Sequence, residues 1–287
     1  MRRLFAWVVL ALPILSTACN SLTEPGHRAT PGATSDGRPL PDALPSESLA
    51  CGAQITSDVR LDNDLTCSGN GLLVSGDDIT IDLNGHTLTG SGSGNGITVS
   101  ASNRVTISGG SVTRFQSGIF VNASTSVIIR DNEFSATNQA VLLQAATGNV
   151  IKHNTVMNNL ARGFMLRPNL TGGLSTDNVV IDNVVIDTPT GIYMIRQPGN
   201  TIQNNTVTGA AVAGIDLAEG PGQVSGNIIR ANHLVRGGAG IRFSSGWTDN
   251  AFVGNRIEGN ACGTKGSPAG NTFHGNVFFD NATDACP

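Results

Sequence analysis

Charge, aromatics and helix formers are all scarce in this chain. Charged residues make up 13% and aromatics 5% of its 287 residues, with one Tyr and two Trp. A helical bundle draws on Leu, Glu, Lys and Ala, which lose least on entering a helix, and lysine occurs only at Lys152 and Lys265. So thin a basic inventory also argues against DNA or RNA as a main partner, because phosphate binding wants clustered Lys and Arg. No HExxH, GxSxG or P-loop pattern occurs. Disorder is excluded in turn, since 39% hydrophobic residues and a net charge of -4 are too apolar and too weakly charged for it. What is abundant is Gly, at 36, and Asn, at 27. That balance points to an all-β, turn-rich chain and to a search for repeats.

The first residues read as a targeting segment. Arg2 and Arg3 precede an apolar run from Leu4 to Leu15, interrupted by Pro13. The run falls short of the about 20 residues a membrane span needs, but suits a signal-peptide core. It ends in Leu15-Ser16-Thr17-Ala18-Cys19, which resembles the bacterial lipobox, although Ser16 stands where that motif usually has Leu. The resemblance implies cleavage after residue 18, lipidation of Cys19, and a chain held in the cell envelope. Residues 19–50 hold Pro25, Pro31, Pro39, Pro41 and Pro45 with no aromatic residue, the composition of a flexible tether. Setting Cys19 aside leaves Cys51, Cys67, Cys262 and Cys286, an even number that suits disulfides in an exported protein. Of three possible pairings, Cys51–Cys67 with Cys262–Cys286 is the economical one, placing a bond at each end of the chain beyond the tether.

Two patterns recur from Val59 onward. In the first, an apolar residue is followed three places later by Asn, as in Ile81/Asn84, Ile129/Asn132, Ile151/Asn154, Val180/Asn183 and Ile202/Asn205. Two places after the Asn another apolar residue returns, such as Phe134, Val156 or Val185. In the second, a small residue precedes apolar-x-apolar: Gly96-Ile-Thr-Val99, Gly118-Ile-Phe-Val121, Gly191-Ile-Tyr-Met194, Gly214-Ile-Asp-Leu217. The small residues recur at intervals of 25, 22, 22, 23, 28, 23 and 26 from Gly71 to Gly240. Each unit thus offers short strands of period two separated by Gly or Asn corners. One unit cannot bury its apolar side alone, whereas stacked copies can. A corner Asn tolerates left-handed dihedrals and can hydrogen-bond the Asn above and below, so the Asn column is expected to form a ladder beginning at Asn84.

The unit resembles the right-handed parallel β-helix repeat of the pectate-lyase-like superfamily, in its carbohydrate-binding and sugar-hydrolysis branch. Cys51-Gly-Ala-Gln-Ile-Thr, Asp64-Leu-Thr-Cys67 and Ile79-Thr-Ile-Asp-Leu-Asn-Gly-His86 are similar to the N-terminal cap of exported members. The resemblance implies a three-sided solenoid of about nine to ten turns over residues 51–287. The superfamily mixes lyases, hydrolases, epimerases and proteins without known chemistry, so it implies a fold more firmly than a reaction.

In the polysaccharide-processing relatives, strands at the second pattern line the substrate groove, which directs attention to its outward residues. In order these are Leu73, Thr98, Phe120, Leu142, Met165, Tyr193, Asp216 and Arg242. Arg162, Arg167 and Arg196 flank the same strands. Longer connections, roughly Arg167–Ser175 and Ala218–Gln223, leave one corner on either side of the Tyr193 turn, as the walls of a trough would. Tyr193, Asp216, Arg242, Arg167, Arg196 and Arg162 are therefore the expected sugar-binding set, through ring stacking and charge-assisted hydrogen bonds. Asp216, Arg242 and Glu219 are the candidates for chemistry. The bland reading makes Asp216 and Arg242 a surface ion pair worth ~0–1 kcal/mol, and Phe120, Leu142 and Met165 a satellite core under a loop. On the sugar reading, neither Tyr193 nor Arg242 enters the core, so truncating either should cost little stability.

His86, His153, His233 and His274 fall on different repeats and columns, so neither a metal site nor a cofactor is expected. The Asp82–His86 stretch reads as a turn. The reading favoured is an envelope-anchored, monomeric lipoprotein that binds or processes polysaccharide and meets the membrane through its N-terminal lipid alone. Alternatives are a non-catalytic scaffold or adhesion module, and a periplasmic accessory factor for a metalloenzyme.

Overall fold

The computed structural model describes residues 44–218 and 224–287. Its described residues form 32 strands and no helix, arranged in three parallel sheets of 11, 10 and 11 strands. Sheet 1 runs from Ser46–Glu47 to Thr272–His274, sheet 2 from Leu65–Thr66 to Val277–Phe279, and sheet 3 from Gln54–Ile55 to Thr283–Cys286. The first turn gives strands to sheets 1 and 3 only, each later turn gives one strand to each sheet, and every pairing is to the turn before or after. This is a right-handed parallel β-helix. Its first paired strand, Ser46–Glu47, lies within the stretch whose composition suggested a tether.

The alternation of apolar and polar residues decides which side chains enter. Ile107, Ile129, Ile151, Val180 and Ile202 stack inward on sheet 1; Val112, Phe134, Val156 and Val185 on sheet 2; Ile119, Val141, Phe164, Ile192 and Ile215 on sheet 3. All are at most 1% exposed and belong to one core. Full burial of such a side chain contributes about 1.5–3 kcal/mol, which is how units that cannot fold alone hold together as a stack. The small residue ahead of each sheet 3 strand is explained by close approach. A Cβ on Gly191 would stand 2.5 Å from the Gly214 carbonyl oxygen.

The Asn column forms a hydrogen-bonded ladder, with two corrections to its expected form. Asn132, Asn154, Asn183, Asn205, Asn232 and Asn255 each donate through Nδ2 to the Oδ1 of the next, the last acceptor being Asn276, at 2.8–3.2 Å. The left-handed residue is not the ladder Asn but its predecessor: Asp131, His153, Asp182, Asn204 and Ala231 have φ between 52° and 56°. The predecessor makes the sharp turn, leaving the Asn itself free to point inward. Asn84 is the exception. It takes the left-handed turn itself, with φ 51°, and lies off the ladder, donating to the Leu61 carbonyl. The ladder's upper neighbour is instead the backbone N–H of Gly110. A second ladder, not anticipated, joins Asn149, Asn178, Asn200, Asn227, Asn250 and Asn271 at the corner between sheets 3 and 1.

The ends differ. Leu49 and Ala53 pack against the first turn of the core, and a disulfide joins Cys51 to Cys67. At the other end Cys262 is bonded to Cys286, as the economical pairing requires. The last sheet 1 and sheet 2 strands leave Phe273, Val277 and Phe279 exposed. The Asp82–His86 stretch is a turn whose imidazole Nδ1 sits 3.0 Å from Asp64 Oδ1.

Candidate functional site

Sheet 3 stacks the outward column in the expected order. Leu73, Thr98, Phe120, Leu142, Met165, Tyr193, Asp216 and Arg242 are successive register partners, and Lys265 extends the series. Adjacent turns are about 4.8 Å apart, so neighbouring side chains in the column touch. The column divides into an apolar upper half and a charged lower half.

The upper half carries a concavity. A depression of about 290 Å³ has Phe120, Leu142 and Met165 along its floor. Leu142 and Met165 are buried, while Phe120 is half-buried. One wall is built from the residues that open each strand, Ser117, Gln139 and Arg162, reinforced by Gln116 and Asn138. Its members are tied together: Gln139 donates to the Ser117 hydroxyl at 2.8 Å and accepts from Asn138 at 3.1 Å. Arg167, at the far end of the strand Arg162–Arg167, closes the opposite side and donates to Gln144 Oε1 at 3.1 Å. The connection after Arg167 is folded on itself, with Asn169 Oδ1 accepting from the Thr171 and Gly173 N–H groups.

This depression lies on the turns before Tyr193, whereas the trough expected beside Tyr193 has its second wall in residues 219–223, outside the described residues. Side-chain size sets these turns apart. Where Gln139 and Arg162 build a wall, the next turns carry Thr190, Ala213 and Ala239 in the same register, and these are too short to do so. The residue just ahead of each small residue was the sequence signal for this wall.

The lower half is a chain of contacts. The Arg162 guanidinium lies over the Tyr193 ring, 4.2 Å from its centroid, so Arg162 serves both halves. Tyr193 neighbours Asp216, and Arg242 grips that carboxylate with two hydrogen bonds, Nε to Oδ1 at 2.8 Å and Nη2 to Oδ2. This is not the exposed pair of the bland reading: the Asp216 side chain is 1% exposed and that of Arg242 37%. The Asp216 bond holds the Arg242 guanidinium above its ordinary pKa, against the opposing effect of partial burial. Just beyond, Trp247 Nε1 donates to the Ala218 carbonyl and Trp247 bridges to Val224, clasping both ends of the connection between them. Arg196 sits at the corner after Thr190–Ile195 with φ 51°. Glu219, most of the 218–223 connection, and Cys19 lie outside the described residues.

Hydrolysis of a glycosidic bond ordinarily uses two carboxylates about 5–10 Å apart. In the strands of sheet 3 from Asn95 to Lys265, Asp216 is the only carboxylate, and it is engaged by Arg242. Among the described residues, no three His, Cys, Asp or Glu side chains converge as a metal site would require.

An all-parallel three-sheet solenoid with a walled depression on the outward face of sheet 3 defines a class of protein. Residues 70–232 match the family described as right handed beta helix region, and the chain belongs to that family. Among solved structures it is similar to an alginate lyase from Paenibacillus sp. str. FPU-7, with a TM-score of 0.61 and 14% identity over 79% of this chain and 91% of that one. It is similar to the tailspike protein of E. coli bacteriophage HK620 in complex with pentasaccharide, with a TM-score of 0.59 and 13% identity over 83% of this chain and 55% of that one. The catalytic domain of a GH87 α-1,3-glucanase in complex with tetrasaccharides matches with a TM-score of 0.50 and 12% identity, over 85% of this chain and 60% of that one. At these identities the likeness is one of fold. No curated protein matches by sequence.

Proposed function

We propose that this is an exported β-helix, lipid-anchored through Cys19, that binds polysaccharide along the outward face of sheet 3. The observation that carries the reading is the depression itself. An apolar floor of Phe120, Leu142 and Met165 suits the apolar face of a sugar ring, and flanking amides and guanidinia suit its hydroxyls. Solved β-helices of similar fold are described with pentasaccharide and tetrasaccharides bound, which supports the reading. With Asp216 held by Arg242, the described face is equipped to bind rather than to cleave.

Affinity electrophoresis of the full chain through a panel of polysaccharides tests this. Phe120→Ala and Gln139→Ala should each weaken retention by about 1–2 kcal/mol, roughly 5–30-fold. Unchanged retention of both variants on every retained polymer would remove the depression from the account. For the anchor, labelled fatty acid should enter the wild type and not Cys19→Ser; equal labelling would refute lipidation there.

A further inference from the structure

The charge distribution on sheet 3 bears on which polysaccharide fits. The chain as a whole is acidic, at -4, yet the strands of sheet 3 from Asn95 to Lys265 carry Arg162, Arg167, Arg242 and Lys265 against Asp216 alone. Asp216 and Arg242 neutralise each other, so three cations remain. Two of them, Arg162 and Arg167, line the depression, and none of the described residues lining it is acidic.

Neither of these two has a carboxylate partner among the described residues. Arg162 is held over the Tyr193 ring, and no hydrogen bond among the described residues claims its guanidinium. Arg167 is steadied by Gln144, a neutral group, and its Nε is buried with no hydrogen-bond partner. The two open and close a single strand, about 16 Å apart along the backbone, one on each side of the Leu142–Met165 floor. Several arginines elsewhere are paired with carboxylates, Arg104 with Asp78, Arg130 with Asp131 and Arg256 with Glu258, while Arg230 donates to an amide oxygen of Gln203 but lines no such depression. Unpaired guanidinia facing a concavity are donors in a rigid fork that matches carboxylate and sulfate oxygens. A neutral glycan would leave those donors without charged acceptors.

We infer that the depression takes an anionic glycan, carrying carboxylate or sulfate groups, with sugar faces on Phe120, Leu142 and Met165 and its charges met by Arg162 and Arg167. The inference rests on the proposal of polysaccharide binding and narrows it.

Binding of the full chain to immobilised polygalacturonate and to its fully methyl-esterified form compares one backbone with and without charge. Dextran sulfate and dextran make the same comparison for sulfate. The charged member of at least one pair should bind about tenfold more tightly or better at low salt, and the preference should shrink near 0.5 M salt as screening shortens its reach to a few ångströms. Arg162→Gln with Arg167→Gln should abolish the preference, whereas Lys152→Gln on sheet 1 should leave it intact. Preference for polygalacturonate assigns a uronate, and preference for dextran sulfate assigns a sulfated glycan. Esterified and free polymers binding alike would overturn the anionic assignment and leave polysaccharide binding standing. Loss of preference in Lys152→Gln would show that net charge, not this depression, is responsible. Failure to retain all four polymers would overturn the inference together with the reading beneath it.

Discussion

Arg242→Ala should unfold the protein more easily, although the side chain is partly open to solvent. In the variant the Asp216 carboxylate, 1% exposed, keeps its place on the strand Ala213–Ala218 with no counter-charge. Breaking a buried ion pair by removing one partner costs about 3–5 kcal/mol. Here the arginine is 37% exposed, so water can follow the departing guanidinium toward the acid, and the cost falls to about 2–3 kcal/mol. In a domain of this size that lowers the melting temperature by roughly 5–10 °C. Removing both charges in Asp216→Ala with Arg242→Ala should recover most of the loss, because no charge is then left buried. Thermal melts of wild type, both single variants and the double variant, followed by tryptophan fluorescence, complete the cycle. If Arg242→Ala melts within about 1 °C of wild type, the pair is a surface pair and the reasoning fails. If the double variant is no better than Arg242→Ala, lost packing rather than the orphaned carboxylate is the cause. The expectation from sequence, that losing Arg242 should matter little to stability, is the alternative under test.

Asn205→Leu, in mid-ladder, strips donors from the Val180, Gln203 and Asn232 oxygens and an acceptor from Asn183, and should cost about 3 kcal/mol or more; Asn84→Ala, off the ladder, should cost under about 1 kcal/mol in the same urea titration. Reduction of the disulfides, which close loops with separations of 16 and 24 residues, should lower stability by about 2–4 kcal/mol each, and an unchanged melting curve in reductant would contradict their role at the ends. Asp64, Asp77 and Glu258 are held below their ordinary pKa values, Asp64 chiefly by the Thr87 N–H, Asp77 by the Asn103 side chain and Glu258 by Arg256. Their depressed folded values mean that their contribution is complete above the ordinary carboxylate range and drains away as pH falls toward those values. Melting temperature should therefore drop between pH 5 and about pH 3, less steeply in Asp77→Asn, and a flat profile would count against these bonds.

Inward and outward were legible in the sequence because strand alternation is a local property. Ile129, Phe134 and Ile119 announce their direction within a few residues, and the four cysteines bracket the repeats closely enough to suggest their pairing. What covers an outward residue is not local. Asp216 faces outward as expected, yet it is sealed, and the arginine that grips it lies a full turn later in the chain. The depression on the turns before Tyr193 was not legible for a similar reason: its wall depends on comparing Gln139 and Arg162 with Thr190 and Ala213, residues that meet only when turns are stacked in register. Asn84 shows the limit of a spacing rule. It matches the ladder motif, but the left-handed turn falls on Asn84 itself rather than on its predecessor, which rotates the amide out of line.

The Asn ladders give the solenoid a direction beyond that of its chain. Backbone hydrogen bonds between turns run both ways, as where Thr106 N–H reaches back to Ile79 and Leu83 N–H reaches forward to Ser108, so their dipoles largely cancel. The Asn-to-Asn bonds do not alternate. Along each ladder the Nδ2 of one turn donates to the Oδ1 of the next, from Asn132 to Asn276 and from Asn149 to Asn271, while an Nδ2 such as that of Asn154 or Asn205 also reaches back to the Ile129 or Val180 carbonyl of the turn before. Bonds made in both directions tie each buried Asn to the turn before it and the turn after it, and buried amides linked in series polarise one another. The two ends of the first ladder are therefore unlike: Asn132 opens it with its Oδ1 accepting from the Gly110 N–H, and Asn276 closes it by accepting from Asn255 and donating, among the described residues, only back to the Phe252 carbonyl.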